Sequence, residues 1–280
     1  MGETIHSAPR AQARPDWLTI GGMAVVAYLI AVITHEALGH GVAALLVGAP
    51  VQHVTSLDLA ADLSHVGPWQ ARFVAAAGCL AQFLLASVLW LLRQRWRQAS
   101  ANIHYFCWLL FSINVFIPAG YLMVLSFAPY GDWNDFVQGL PQAILWRAAL
   151  TALGLALTLL ALFAAARGLT PFLPTQPRAR LRRGIALALV PYLVGSAVNT
   201  LAGIFNPDSP LLVLTSAAAA SFGGTIGLFW AGFTAGMSPP KTQIAKEVAK
   251  TVTRSWLWVG LGVGAVLVYF LILGPGIPRS

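Results

Sequence analysis

Long apolar runs, separated by short polar or basic connectors, set the plan of this chain. Uncharged stretches extend over about Trp17 to Val47, Ala71 to Leu92, Ile103 to Phe127, Ile144 to Ala166, Ile185 to Phe205, Leu211 to Ala235 and Ser255 to Leu273. Each is long enough to cross the hydrocarbon core of a bilayer, which takes about 20 residues as a helix. Runs this continuous exclude a barrel of roughly ten-residue alternating strands. The pattern predicts an all-α, polytopic membrane helical bundle of about seven transmembrane helices. Composition sharpens this: 58% of the 280 residues are hydrophobic and 9% charged, against about a quarter charged in soluble domains. A soluble enzyme and a disulfide-stapled secreted module are both excluded. The two cysteines, Cys79 and Cys107, lie inside apolar runs and read as small buried hydrophobes.

The basic residues set an orientation, because Lys and Arg are retained on the cytoplasmic side. Fourteen of the seventeen fall in one set of segments: Arg10 and Arg14; Arg93, Arg95 and Arg97; Arg167, Arg178, Arg180, Arg182 and Arg183; Lys241, Lys246, Lys250 and Arg254. The other set holds Arg72, Arg147 and Arg279. With a cytoplasmic N-terminus, seven crossings put all fourteen inside and the C-terminus outside. The net charge of +8 is then a topology signal, with anionic membrane lipids as the natural partner of the basic flanks. It is not a nucleic-acid surface, since no aromatic residues are interleaved. Strong positive-inside bias and the absence of organelle-type targeting fit a bacterial inner (plasma) membrane.

Residues 1–16 read as a cytoplasmic tail, 17–136 as a three-span core and 137–280 as a four-span C-terminal part. The apolar run that follows the tail is too long for a secretory signal. Thr170 to Pro177, with three prolines, is a cytoplasmic connector. The outer loop 50–68 mixes β-branched and polar residues and is expected to form a short hairpin or a re-entrant segment. It carries His53 and His65, for which a solvated loop position is the ordinary reading.

Chemistry concentrates in the first span, which reads His35-Glu36-Ala37-Leu38-Gly39-His40-Gly41. Ionisable groups at membrane depth are costly, and they mark a functional site by default. Two imidazoles and a carboxylate together suggest a transition metal, most plausibly zinc, with Glu36 as general base on a metal-bound water. The spacing is unusual. Histidines five apart lie about 140° around an ideal helix, whereas four apart would share a face. A single-turn π-bulge at the permissive Gly39 would bring His35 and His40 onto one face. Alternatively Glu36 and His40, four apart, are the coplanar pair and both bind the metal. A third arrangement pairs all three groups with polar side chains on neighbouring helices, without metal.

This segment resembles the HExGH-type signature of site-2-protease-like membrane metallopeptidases. Ala75-Ala76-Ala77-Gly78-Cys79-Leu80-Ala81-Gln82, in the second span, is similar to that family's small-residue segment. Asn114-Val115-Phe116-Ile117-Pro118 supplies the Asn and one Pro of its third element. The resemblance covers roughly Val32 to Asp135. It implies a membrane-embedded zinc peptidase in which His35, His40 and an acid hold Zn2+, Glu36 is catalytic, and the substrate is a transmembrane segment of another protein. Leu122 stands where the family has its Asp, so the third ligand must come from elsewhere. Asp132 is preferred, Asp135 second and Asp208 third. The charge count also places this site toward the outer face, whereas the better-known bacterial members open toward the cytoplasm.

Two other functions compete. A non-enzymatic membrane scaffold or accessory subunit would retain the helical core without catalysis, in keeping with the displaced histidine and with Leu122. A di-iron hydroxylase with histidine boxes needs about eight histidines, and this chain has six. His104 reads as an interfacial residue beside Tyr105, and Asn199, Ser221, Gly223 and Gly224 as helix-packing or interhelical hydrogen-bond residues.

Overall fold

Asp16 starts the first helix: its Oδ1 accepts the Thr19 amide at 2.9 Å, which satisfies one of the orphan donors of the opening turn. In the computed structural model, which describes residues 13–206, 217–239 and 249–278, that helix, α1, runs over Trp17–Leu46. A hairpin follows, β1 (Val51–Val54) and β2 (Leu59–Ala61). Helix α2 (Pro68–Trp96) opens with proline at its first position, where no amide hydrogen is needed. Helix α3 (Ala101–Leu125) is capped by Ser100 and ends in a π-helical turn, Tyr121–Leu125. The short α4 (Asp132–Val137), then α5 (Ala143–Phe172), α6 (Pro177–Phe205), α7 (Gly227–Met237) and α8 (Trp256–Leu273) complete the helices. Strand β3 (Ile277–Pro278) closes the described chain.

Six of these helices, α1, α2, α3, α5, α6 and α8, are long and apolar enough to cross a membrane. The protein is a helical membrane bundle. Their outward faces carry large apolar side chains such as Leu84, Leu91, Leu160 and Leu271, all exposed, as a hydrocarbon solvent requires. Helices α2 and α5 extend beyond their apolar runs at both ends, with basic residues in or near their last turns, and α3 and α6 begin before theirs, after a serine cap and at a proline. Asp208 and the opening residues of the run expected at Leu211 to Ala235 lie outside the described residues. The described part of that run lies antiparallel to α6: Asn199 Nδ2 donates to Ser221 Oγ near one end, and Arg180 Nε to the Ser238 carbonyl near the other.

One apolar core joins the front and back of the chain. Met23, Tyr28, Trp108, Phe116, Phe172, Leu187, Leu228 and Tyr269, contributed by six helices, pack in a single buried cluster. The polar connectors sort to two ends. At one, the Asp16 amide donates to Val252, Lys250 Nζ to the Arg97 carbonyl, and Arg183 Nη1 to Ala13. His104 is buried there, its Nδ1 3.1 Å from Lys250 Nζ and its ring against Phe172. At the other end lies a three-stranded sheet in the order β2-β1-β3. The hairpin expected in loop 50–68 is present, and the last strand adds to it antiparallel, His53 opposite Pro278 and Val54 opposite Ile277.

Candidate metal centre

The conformation of α1 changes where its chemistry begins. Thr34–Gly41 is π-helical, and the Val42 amide donates to the Ala37 carbonyl five residues back. Hydrogen bonds of this register return the chain to one face after five residues rather than four. His35 and His40 therefore converge, their Nε2 atoms 3.2 Å apart and their rings edge to face. Of the arrangements open to the sequence, this is the bulge with both histidines on one face.

Glycine on two helices makes the convergence fit. A Cβ built on Gly39 would lie 2.5 Å from the Gly78 Cα, so only glycines let α1 and α2 approach so closely. A Cβ on Gly78 would lie 2.5 Å from His40 Nε2 and 2.7 Å from His35 Nε2. Helix α2 also orients the rings. Gln82 Oε1 lies 3.1 Å from His35 Nδ1, and the Val74 carbonyl 2.7 Å from His40 Nδ1. Both acceptors call for a hydrogen on Nδ1, which leaves each Nε2 lone pair facing its neighbour. Gln82 is itself held through Nε2 by the Ala31 carbonyl at 3.3 Å.

Asp132 arrives from the loop after α3. Gly131 takes a positive φ of 84°, which turns the chain so that Asp132 opens α4. Trp133 and Val137 bury beside Leu122, Ala76 and Cys79, so the position that carries the acid in the resembled family is here part of the apolar floor under α4. Two arginines clamp the turn. Arg72 donates to the Phe136 and Gln138 carbonyls at 3.0 and 2.8 Å, and Arg147 to Asn134 Oδ1 at 2.9 Å and to the Ser126 carbonyl at 2.6 Å. These are two of the three basic residues that fell outside the main charged set, and both are spent on holding this loop.

Asp132 Oδ2 lies 3.1 Å from His35 Nε2 and 3.4 Å from His40 Nε2. The three atoms thus form a triangle with sides of 3.1, 3.2 and 3.4 Å. Zinc bonds of about 2.0–2.1 Å in a tetrahedron imply ligand–ligand edges of about 3.3 Å. The donor set and its spacing fit a zinc ion. Cys79, read from sequence as a plain hydrophobe, belongs to the neighbourhood: its sulfur and the ligand atoms of His35 and Asp132 lie within 4.8 Å of one another.

Glu36 is buried and lines a cavity with His35, Gln82 and Tyr121. The other predicted residues fall elsewhere. The Asp135 carboxylate accepts from Asn134 at 3.3 Å, and burial raises its carboxyl. His53 sits 3.4 Å from Asp58, and His65 is exposed. Comparison with protein-family models, with curated proteins and with solved structures finds no match.

Proposed function

We propose that this protein is a membrane-embedded, zinc-dependent peptidase that cuts a segment of another membrane protein. The observation that carries the reading is the triangle of His35 Nε2, His40 Nε2 and Asp132 Oδ2 at 3.1 to 3.4 Å, with both Nδ1 atoms directed to acceptors. His35, His40 and Asp132 would hold the zinc, which would supply a Lewis acid able to make a bound water acidic enough to ionise near neutral pH. Glu36 takes the proton from the attacking water and delivers it to the leaving amine. Gln82 and the Val74 carbonyl hold the imidazoles in one tautomer. Arg72 and Arg147 hold Asp132 at the required distance. The positive-inside distribution supports seven crossings with the N-terminus in the cytoplasm and this centre toward the outer face of a bacterial inner membrane.

A second reading, a non-enzymatic scaffold with a closed metal site, is favoured by Cys79, whose thiol offers a fourth donor beside His35 and Asp132. One experiment separates the two. Zinc is measured by mass spectrometry on tag-free, detergent-purified protein, and cleavage is followed on membrane proteins co-expressed with it. Peptidase action predicts about one zinc per chain, lost in His35→Ala, His40→Ala and Asp132→Ala. Zinc is retained in Glu36→Gln while cleavage is abolished, and Cys79→Ser keeps both. Zinc lost from Cys79→Ser, with no cleavage by wild type, would favour the scaffold. A wild-type protein free of zinc would overturn both metal readings.

A further inference from the structure

The cavity beside Glu36 has a second polar wall, supplied by the C-terminal helices and by the hairpin tip. Ser56, Asn199 and Ser221 line it together with His35 and Glu36. Asn199 is only 5% exposed; its Nδ2 donates to Ser221 Oγ at 2.6 Å, while its Oδ1 has no hydrogen-bond partner among the described residues. Ser56 is 2% exposed and its Oγ is likewise unpaired, although its amide is fixed by the Leu273 carbonyl at 2.8 Å. Ser221 is anchored in turn, since its carbonyl accepts from Ser196 Oγ at 3.1 Å and from Thr225 Oγ1. Asn199 is therefore held through an anchored partner, and Ser56 through its main chain. A buried acceptor at this depth is costly to leave unpaired, and what it lacks is a donor entering the cavity.

We infer that Asn199 Oδ1, positioned by Ser221, and Ser56 Oγ form a subsite that hydrogen-bonds the main chain of an extended peptide whose scissile carbonyl faces Glu36 and His35. The inference rests on the peptidase reading and names what its substrate must offer. A helical segment in lipid has its amide hydrogens tied up in its own ladder, so it has none to give Asn199. An unwound strand presents amide hydrogens and carbonyls alternately on its two sides, one toward Asn199 and the next toward the metal centre. The subsite thus rewards unwinding. It reads main chain rather than side chains, and the adjoining Ala31 and Ala220 leave room for small residues.

The test uses the zinc-loaded, full-length protein in detergent and five probes: N-acetyl-trialanine hydroxamate, its three singly N-methylated forms, and acetohydroxamate as the metal-binding head alone. Affinity is measured by calorimetry. N-methylation of one amide is expected to weaken binding to wild type about tenfold, the value of one hydrogen bond. Asn199→Ala is expected to bind the parent probe about tenfold more weakly and to lose discrimination at that amide, with its affinity for acetohydroxamate unchanged. Should that variant fail to fold, Ser221→Ala carries the test, and discrimination as large as in wild type would overturn the assignment. Four peptide probes binding wild type equally, beside normal acetohydroxamate binding, would overturn the subsite alone. A protein with neither zinc nor acetohydroxamate binding would overturn the peptidase reading and the subsite with it.

Discussion

Helix α1 meets its neighbours through glycine twice, and the two contacts serve different ends. Near its start Gly22 lies against Gly262 of α8, where a Cβ on either residue would collide with the other helix's backbone. Nearer its end Gly39 lies against Gly78 of α2 in much the same way. As packing devices they are alike, since small residues let helix backbones approach in lipid. Their surroundings separate them. The first contact is enclosed by the backbone of Trp258 and Val259, whereas the space above Gly78 is occupied by the ring nitrogens of His35 and His40. One contact joins two helices; the other joins two helices and holds two imidazoles at the join. A small-residue motif acquires its meaning from what fills the space beside it.

The largest effect should come from Gly78→Ala. Its new methyl would displace both imidazoles, so zinc affinity should fall about 100-fold or more, at least the upper range seen when an orienting partner of a ligand is lost. Competition against a chromophoric chelator measures this, with helical content by circular dichroism expected to hold. Gly262→Ala should behave oppositely. Overpacking there should lower stability by about 2 kcal/mol, read from denaturant titration in mixed micelles, while the folded protein keeps its zinc; loss of zinc would erase the distinction between the contacts. The smallest effect lies at the same helix pair. Asp16 Oδ2 accepts from Arg254 Nε at 2.8 Å, linking the starts of α1 and α8. Burial opposes ionisation of Asp16, but the Thr19 amide and Arg254 prevail and lower its carboxyl below the ordinary value. Its contribution is therefore present above the ordinary carboxylate range near pH 4 and is lost as pH falls through the lowered value. Asp16→Asn should remove that pH dependence and about 0.5 kcal/mol of stability at neutral pH, with zinc binding untouched.

Much of the membrane plan was legible because lipid permits few solutions: apolar runs of sufficient length become helices, and basic residues collect at one end. The five-residue histidine spacing was legible as a demand for one extra residue in the turn, and the π-helical stretch meets it. Asp132 was preferred as the nearest acid past Leu122, and the structure brings its carboxylate beside both imidazoles. The supports of the site were not. Gln82 sat within a run read as close packing, and nothing local said that its amide faces His35. Cys79 looked like filler because its neighbours in sequence are apolar, while its neighbours in space include His35 and Asp132. Asn199 and Ser221 were visible only as polar residues in spans, since the cavity they share with Glu36 exists only once α6 and the turn before α7 are packed beside α1. Strand β3 carried no signal at all, being two residues whose pairing is decided by β1.

That strand puts a clock on the site. Residues Ile277 and Pro278 complete the sheet whose hairpin brings Ser56 to the cavity, and the Leu273 carbonyl holds the Ser56 amide. The ribosome makes α1 well before these residues. His35, His40 and Asp132 can gather as soon as α4 has been synthesised, but the roof over them waits for α8. A newly inserted chain thus passes through a stage with its centre formed and its enclosure open, and that stage ends only when translation has delivered the eighth helix.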